Sequence, residues 1–243
     1  PEEIFRNSEM IVKVKEPQEK EWKMLREGQI IFTYLHLAAD PKQAKGLIDA
    51  KCHAIAYETI TDSKGTLPLL APMSEIAGRL AVFEGAYHLK KTCGGPGSLI
   101  SGVPGVKPAK VIILGGGMVG TSAAQMAIGV GADVTIFDKS IERLRYLNDI
   151  FGNSAKVLYS EPLELKNQLV DADLVVGAVL IPGASAPKLI EKSFLSKMKK
   201  NSVLVDVAID QGGCFETSRP TTHQNPIYYE EDVLHYCVAN MPG

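Results

Sequence analysis

The sequence has little charge imbalance, few cysteines and no long apolar run, and each shortage removes a class of function. Against 26 lysines and arginines stand 28 aspartates and glutamates, a net charge of -2. No basic field is therefore available to hold a nucleic-acid backbone. The longest apolar stretches, residues 30–35, 111–114 and 174–181, fall far short of the roughly 20 residues that a membrane helix needs. Pro1-Glu2-Glu3 is acidic where a signal peptide carries a basic region, so neither membrane insertion nor secretion is expected. Cys52, Cys93, Cys214 and Cys237 form no C-x-x-C pair. They read as buried or idle thiols of a reducing, cytoplasmic compartment, and no metal site is expected. The chain opens on Pro1 rather than methionine and stops at Asn240-Met241-Pro242-Gly243, directly after a strand-like run. Both ends look cut.

What is present is ordinary globular material. With 243 residues, 45% hydrophobic and 22% charged, the chain can build one large or two modest domains, and disorder, collagen and coiled coil are excluded. Residues 29–35 read as a buried strand, 41–51 as a helix and 53–60 as a second strand, a β-α-β opening. A turn cluster follows at 61–65. Residues 73–91 then carry Ile76, Leu80, Phe83 and Tyr87 at helical steps. Residues 93–108 hold five glycines and three prolines and read as a loop, either a plain linker or an active-site or interface segment. From 109 onward, strands at 110–114, 133–137, 156–159, 173–179, 202–208 and 235–239 alternate with helices at 118–130, 141–151, 163–170 and 186–199. That order predicts an α/β fold: a Rossmann-type doubly wound parallel sheet over 66–243, with a smaller, incomplete α/β lobe over 1–65.

The sharpest local signal is Val111-Ile112-Ile113-Leu114-Gly115-Gly116-Gly117-Met118-Val119-Gly120. Gly115, Gly117 and Gly120 match G-x-G-x-x-G directly after a strand and at the mouth of a helix, the context in which the motif binds a dinucleotide pyrophosphate. Glycine spacing alone is weak. Asp138, 18 positions beyond Gly120 and at the end of the next strand, adds a carboxylate for the adenosine ribose and favours NAD over NADP. A glycine-rich turn with a helix-capping aspartate, or a methyltransferase site, are the competing readings. Loops after later strands, at Val179-Leu180 and at Val238-Ala239-Asn240-Met241, fall at the carboxyl edge where such sheets bind ligands. For chemistry, the candidates are Lys15, His36 and Asp210, each expected at a strand end. Each also has a structural alternative as surface charge, a satisfied histidine or a turn cap.

These residues fall inside a wider resemblance. Lys13-Val14-Lys15-Glu16-Pro17, Phe32-Thr33-Tyr34-Leu35-His36-Leu37-Ala38-Ala39, Ala56-Tyr57-Glu58-Thr59, the stretch from Leu69 to Arg79, the glycine motif and Asp206 to Glu216 together resemble the alanine dehydrogenase family. The resemblance runs in order along essentially the whole chain. It implies reversible, NAD-dependent oxidative deamination of L-alanine to pyruvate and ammonia by a hexamer. Lys15 matches a lysine that holds the substrate carboxylate, His36 a catalytic histidine at the pyruvate carbonyl, and Asp210 a catalytic aspartate near the nicotinamide. Ser74, Asp138, Arg143, Ser160, Val179, Leu180, Arg219, Asn240 and Met241 match cofactor-contacting positions. The implied cofactor set also takes in Met118, Val119, Val207, Ala208, Ile209 and Val238. The family opens on an arginine-bearing loop and closes on a long helix that these residues do not contain, so the chain by itself is expected to bind NAD and to catalyse poorly. A transhydrogenase-type NAD-binding subunit and a catalytically silent NAD-binding protein are the alternatives.

Overall fold

The computed structural model describes residues 1–37, 40–179 and 186–242. They form two compact units, the first Pro1–Pro72 and the second running from Met73 to 242 in the described residues. Leu180 of the expected cofactor set lies outside the described residues.

The first unit contains α1 (Glu2–Asn7), β1 (Met10–Val12), α2 (Glu19–Trp22), β2 (Ile30–Thr33), α3 (Pro41–Ala50) and β3 (His53–Ala56). Its strands make a parallel sheet in the order β1-β2-β3, with Val12 beside Phe32 and Thr33 beside Ala56. Asp40 caps α3 by accepting from the backbone N–H groups of Lys42 and Gln43, with Pro41 preset at the first helical position. Ile31, Leu35, Leu47, Ile11 and Phe5 form the small core.

The second unit follows from α4 (Ala71–His88) through β4 (Lys110–Leu114), α5 (Met118–Gly129), β5 (Asp133–Asp138), α6 (Ile141–Phe151), β6 (Lys156–Tyr159), α7 (Pro162–Val170), β7 (Leu174–Gly177), α8 (Lys192–Leu195), β8 (Val203–Asp206), β9 (Ile227–Glu230) and β10 (Val233–Tyr236). Its sheet runs β6-β5-β4-β7-β8-β10-β9, parallel except for the β9–β10 hairpin. The six parallel strands have the doubly wound order, reversing direction of growth between β4 and β7, which is where such sheets bind ligands. The continuous apolar run of β4 is explained by burial on both faces. Val111 and Ile113 join one core cluster with Ala123, Ala124 and Ala127 of α5, while Ile112 and Leu114 join another with Phe194 and Phe215. At about 1.5–3 kcal/mol per buried branched side chain, this strand anchors the sheet.

Three expectations need correction. The strand expected over 53–60 ends at Ala56 and turns into a 3-10 helix, Tyr57–Thr59. The helix expected over 186–199 is confined to Lys192–Leu195. Before it, the chain is extended, with Ala186 donating to the Gln211 carbonyl, Leu189 to that of Cys214, and Ile190 bridged in parallel to Phe215. The strand expected over 202–208 ends at Asp206 and turns into a 3-10 helix, Val207–Gln211.

Inside this sheet, His235 has no exposed surface. Its ring nitrogens meet the Thr217 hydroxyl at 2.8 Å and the Val233 carbonyl at 3.0 Å, and burial holds its pKa below the ordinary imidazole value. As pH falls, the unfolded chain therefore takes up a proton before the folded one, and stability drops below about pH 6.5. His88, lowered by burial in the same direction, adds to that loss. Asp206, raised by burial, acts with the opposite sign above the ordinary aspartate range. Thermal melts between about pH 7.5 and 5.5 should show a falling midpoint, with a shallower fall in His235→Gln. An equal slope in both proteins would show that His235 does not supply this term.

Candidate functional site

In the parallel part of the larger sheet every strand ends on the same edge, so the segments after β4, β5, β6, β7, β8 and β10 line up there. This gathers the expected cofactor residues. Gly115, at φ 96°, makes the turn out of β4, and a Cβ on it would come within 2.9 Å of the Ala178 carbonyl, with Val179 beside it. The loops after β4 and β7 therefore touch at the point where the sheet reverses. Gly120 packs so closely that a Cβ would lie 1.8 Å from the Gly115 carbonyl oxygen. Gly117 differs: it is exposed, and a Cβ there would meet no protein atom within 4 Å. Beside it Met118 and Val119 open α5, whose first N–H groups have no intrahelical acceptor. A bare backbone face before a helix N-terminus fits a pyrophosphate.

Asp138 ends β5, half-buried, with one carboxylate oxygen accepting from Gly116 N–H at 2.7 Å and the other from Ser140 N–H at 2.8 Å. A carboxylate has about four acceptor positions, so two are left for ribose hydroxyls. Arg143 binds back onto the glycine loop, donating to the Gly116 carbonyl and, at 2.7 Å, to the Thr121 hydroxyl, with its guanidinium over the Tyr146 ring. Among the described residues it forms no ion pair with the neighbouring acids Glu142 and Asp138. Ser160 follows β6 with its N–H on the Asp138 carbonyl. Ser74 sits in the first turn of α4.

Beyond β8, Val207, Ala208, Ile209 and Asp210 form the 3-10 turn. Asp210 is exposed, and its carboxylate accepts from Asn240 N–H at 3.2 Å, which joins the loop after β8 to the segment Val238–Met241 after β10. Asn240 holds φ 54°. Arg219 lies across the Tyr228 ring, 4.0 Å from its centroid.

Reading by residue type missed what supports this turn. Asp206 has no exposed surface and accepts from Ala208 N–H at 3.0 Å, Cys214 N–H at 2.8 Å and the Ser218 hydroxyl. Burial pushes its pKa up while those donors pull it back. The signal was available as an acid inside the apolar run Leu204-Val205-Asp206-Val207, since a buried carboxylate must be hydrogen-bonded.

Lys15 and His36 belong to the first unit, each three residues past a strand end. The Thr33 hydroxyl lies 3.1 Å from the Val14 carbonyl and 2.8 Å from that of Lys15, tying the Lys15 segment to β2. Glu58 accepts from the N–H groups of both Leu35 and His36, at 3.1 and 2.7 Å, and Gln43 donates to the Leu35 carbonyl. These bonds hold His36 at φ 47°, a conformation a side-chain-bearing residue rarely adopts without such support. Its ring stacks on Tyr34, with centroids 5.8 Å apart. The Glu16 carboxylate lies 3.5 Å from His36 Nδ1 and 4.0 Å from Lys15 Nζ. The cation, the imidazole and a carboxylate are thus one cluster.

Comparison with known proteins shows the family. Residues 1–77 match the family model of the alanine dehydrogenase/PNT N-terminal domain, and residues 81–243 that of the C-terminal domain. An alanine dehydrogenase of Halomonas elongata is 57% identical over 99% of this chain, and the chain spans 65% of that relative's length. A solved L-alanine dehydrogenase superposes with TM-score 0.89 at 52% identity, over 97% of this chain and 65% of that one. A transhydrogenase of Sinorhizobium meliloti, at 23% identity and TM-score 0.79 over 96% of this chain and 68% of that one, shares the fold. With both domain models matched in order over nearly every residue, the chain belongs to the alanine dehydrogenase/PNT family.

Proposed function

We propose that the protein is an NAD-dependent alanine dehydrogenase, catalysing reversible oxidative deamination of L-alanine to pyruvate and ammonia. The observation that carries this reading is the likeness over almost the whole chain to proteins named alanine dehydrogenase. The clustering of Lys15 with His36 in the first unit, and separately the position of Asp210 after β8 in the second, support it. Bound NAD would accept hydride from the alanine α-carbon, leaving an iminium that water converts to pyruvate and ammonium. Lys15 neutralises the substrate carboxylate through a charge-assisted hydrogen bond. His36 hydrogen-bonds the oxygen that develops as water adds, and exchanges a proton with it. Asp210 takes a proton from the amine or the attacking water. Met118, Val119, the bare face of Gly117 and the α5 N-terminus hold the pyrophosphate, Asp138 the ribose, and Ser74, Arg143, Ser160, Val179, Val207, Ala208, Ile209, Arg219, Val238, Asn240 and Met241 complete the cofactor's surroundings. Alanine-dependent formation of NADH tests the reading. Nucleotide binding without any alanine-dependent reduction would instead favour a silent NAD-binding protein.

Cofactor choice follows from Asp138. An NADP 2′-phosphate would bring up to about two negative charges beside that carboxylate in a half-buried setting. Calorimetric titration should find NAD preferred at least about tenfold in the wild type, with the preference reduced in Asp138→Ala or Asp138→Ser. Equal affinity for both nucleotides in the wild type would show that Asp138 does not face the ribose.

We propose further that the protein works in the cytoplasm as a homo-oligomer, a hexamer. Phe83, Tyr87 and Ile76 on α4 and Leu99, Val103 and Val106 in the glycine-rich loop are all exposed, more apolar surface than a monomer usually leaves in one region of chain. A sedimentation profile of monomer alone would contradict the assembly.

A further inference from the structure

We propose that Glu16 is a positioning residue for His36. On this reading its carboxylate takes the Nδ1 proton of the imidazole, so that Nε2 is left to face the substrate, and it stabilises the ring when it becomes charged. The inference rests on the alanine dehydrogenase reading, because it gives His36 the proton-transfer role.

One oxygen of Glu16 carries the argument. Its Oε2 is buried and, among the described residues, has no hydrogen-bond partner, although the Glu16 side chain as a whole is 35% exposed. An acceptor atom held out of water without a donor costs free energy. The same oxygen lies 3.5 Å from His36 Nδ1 and 4.0 Å from Lys15 Nζ. It is therefore aimed at the two groups assigned to the substrate, at a separation that a small ring rotation closes to a hydrogen bond. Such contacts are commonly long before substrate arrives and tighten when it does. The rest of the neighbourhood limits other solutions. Thr33 fixes the Lys15 backbone, Glu58 is engaged with the Leu35 and His36 amides, and Tyr34 stacks on the imidazole while its hydroxyl donates to the Leu69 carbonyl. Of the charged or titratable groups facing His36 within its own unit, Glu16, Lys15, Glu58 and Tyr34, Glu16 is the one whose carboxylate approaches a ring nitrogen.

A carboxylate behind an imidazole does two things in proton transfer. It selects the tautomer that presents the free nitrogen to the reacting atom, and it lowers the cost of the imidazolium. Both are lost when the carboxylate becomes an amide of the same shape. Glu16→Gln should lower turnover about tenfold or more, leave the Michaelis constant for alanine within a few-fold, and move the acidic limb of the pH–rate profile to lower pH by roughly one unit. Glu16→Asp, which keeps the charge, should recover part of the loss. A purely structural role would shift turnover or stability without moving that limb. A pH profile in Glu16→Gln that superimposes on the wild type overturns the proposal.

Nitrogen-15 histidine spectra of the wild-type protein give a second readout that needs neither turnover nor a Glu16 variant. His36 is assigned by the resonance lost in His36→Gln, and its neutral form is expected to carry the proton on Nδ1. The Nε2–H tautomer overturns the proposal even if the enzyme oxidises alanine. Absence of alanine oxidation with the Nδ1–H tautomer present overturns the functional reading and leaves the contact established.

Discussion

If the protein is the alanine dehydrogenase proposed, alanine substitution of His36 or Asp210 should lower the rate of alanine oxidation by about a hundredfold or more, the scale expected for a general acid or base removed from a reacting centre. The two variants should differ in how they bind nucleotide. His36 belongs to the smaller unit, so His36→Ala should lose turnover with the NAD affinity little changed. Asp210 also accepts the Asn240 N–H that links the loop after β8 to the segment after β10, so Asp210→Ala should lose turnover and weaken NAD binding as well. Steady-state rates with calorimetry on both variants check this. Near-normal turnover in either would defeat the assignment.

Two glycines of one motif should fail in different ways. At Gly117 an added methyl meets no protein atom and the backbone is not left-handed, with φ −66°. Gly117→Ala should therefore leave the melting temperature near that of the wild type, yet cut NAD affinity about tenfold or more, because the methyl occupies the face where the pyrophosphate approaches. At Gly120 the methyl would lie 1.8 Å from the Gly115 carbonyl oxygen, and either the helix moves off the strand or the turn opens. Gly120→Ala should lose affinity and also about 1–3 kcal/mol of stability, the usual scale for overpacking. Gly129, in the same helix with open space around its Cβ position, is the control. Gly129→Ala should be neutral or slightly stabilising. Unchanged NAD binding in Gly117→Ala would move the pyrophosphate elsewhere.

The elements that could be read from sequence were those whose local signals and tertiary surroundings agree. Residues 110–114 read as a doubly buried strand because both faces are covered, and the glycines after them because turn, bare face and close packing each exclude a side chain. The 186–199 segment shows the opposite case. Ile190, Phe194, Leu195 and Met198 are buried at spacings that suit a helix, but the first part pairs as extended chain with residues 211–215, a contact no local pattern announces. Strand β9 was missed because its turn is Glu231-Asp232, both at positive φ, without the Asn-Gly or Asp-Gly signature of a two-residue hairpin. Short α2 opens on a Gln18–Glu21 capping box that the sequence does not announce, because glutamine lies outside the Ser, Thr, Asp and Asn set that marks helix N-caps. At the site, the chemistry-bearing Lys15, His36 and Asp210 stood out by residue type, whereas Glu16, Glu58 and Asp206 act through where their carboxylates point. The 3.5 Å approach of Glu16 to His36 Nδ1 and the bonds of Glu58 to two amides and of Asp206 to a 3-10 turn are set by tertiary structure.

In the proposed reaction hydride passes directly from the α-carbon of alanine to the nicotinamide. Incubating the protein with NAD and L-alanine deuterated at the α-carbon, and then analysing the reduced nucleotide by mass spectrometry and proton NMR, tests it directly. Direct transfer should give NADH carrying one deuterium at C4, on a single face, with pyruvate and ammonia formed in equal amount. NADH without deuterium, or no NADH formed when alanine is supplied, would contradict it.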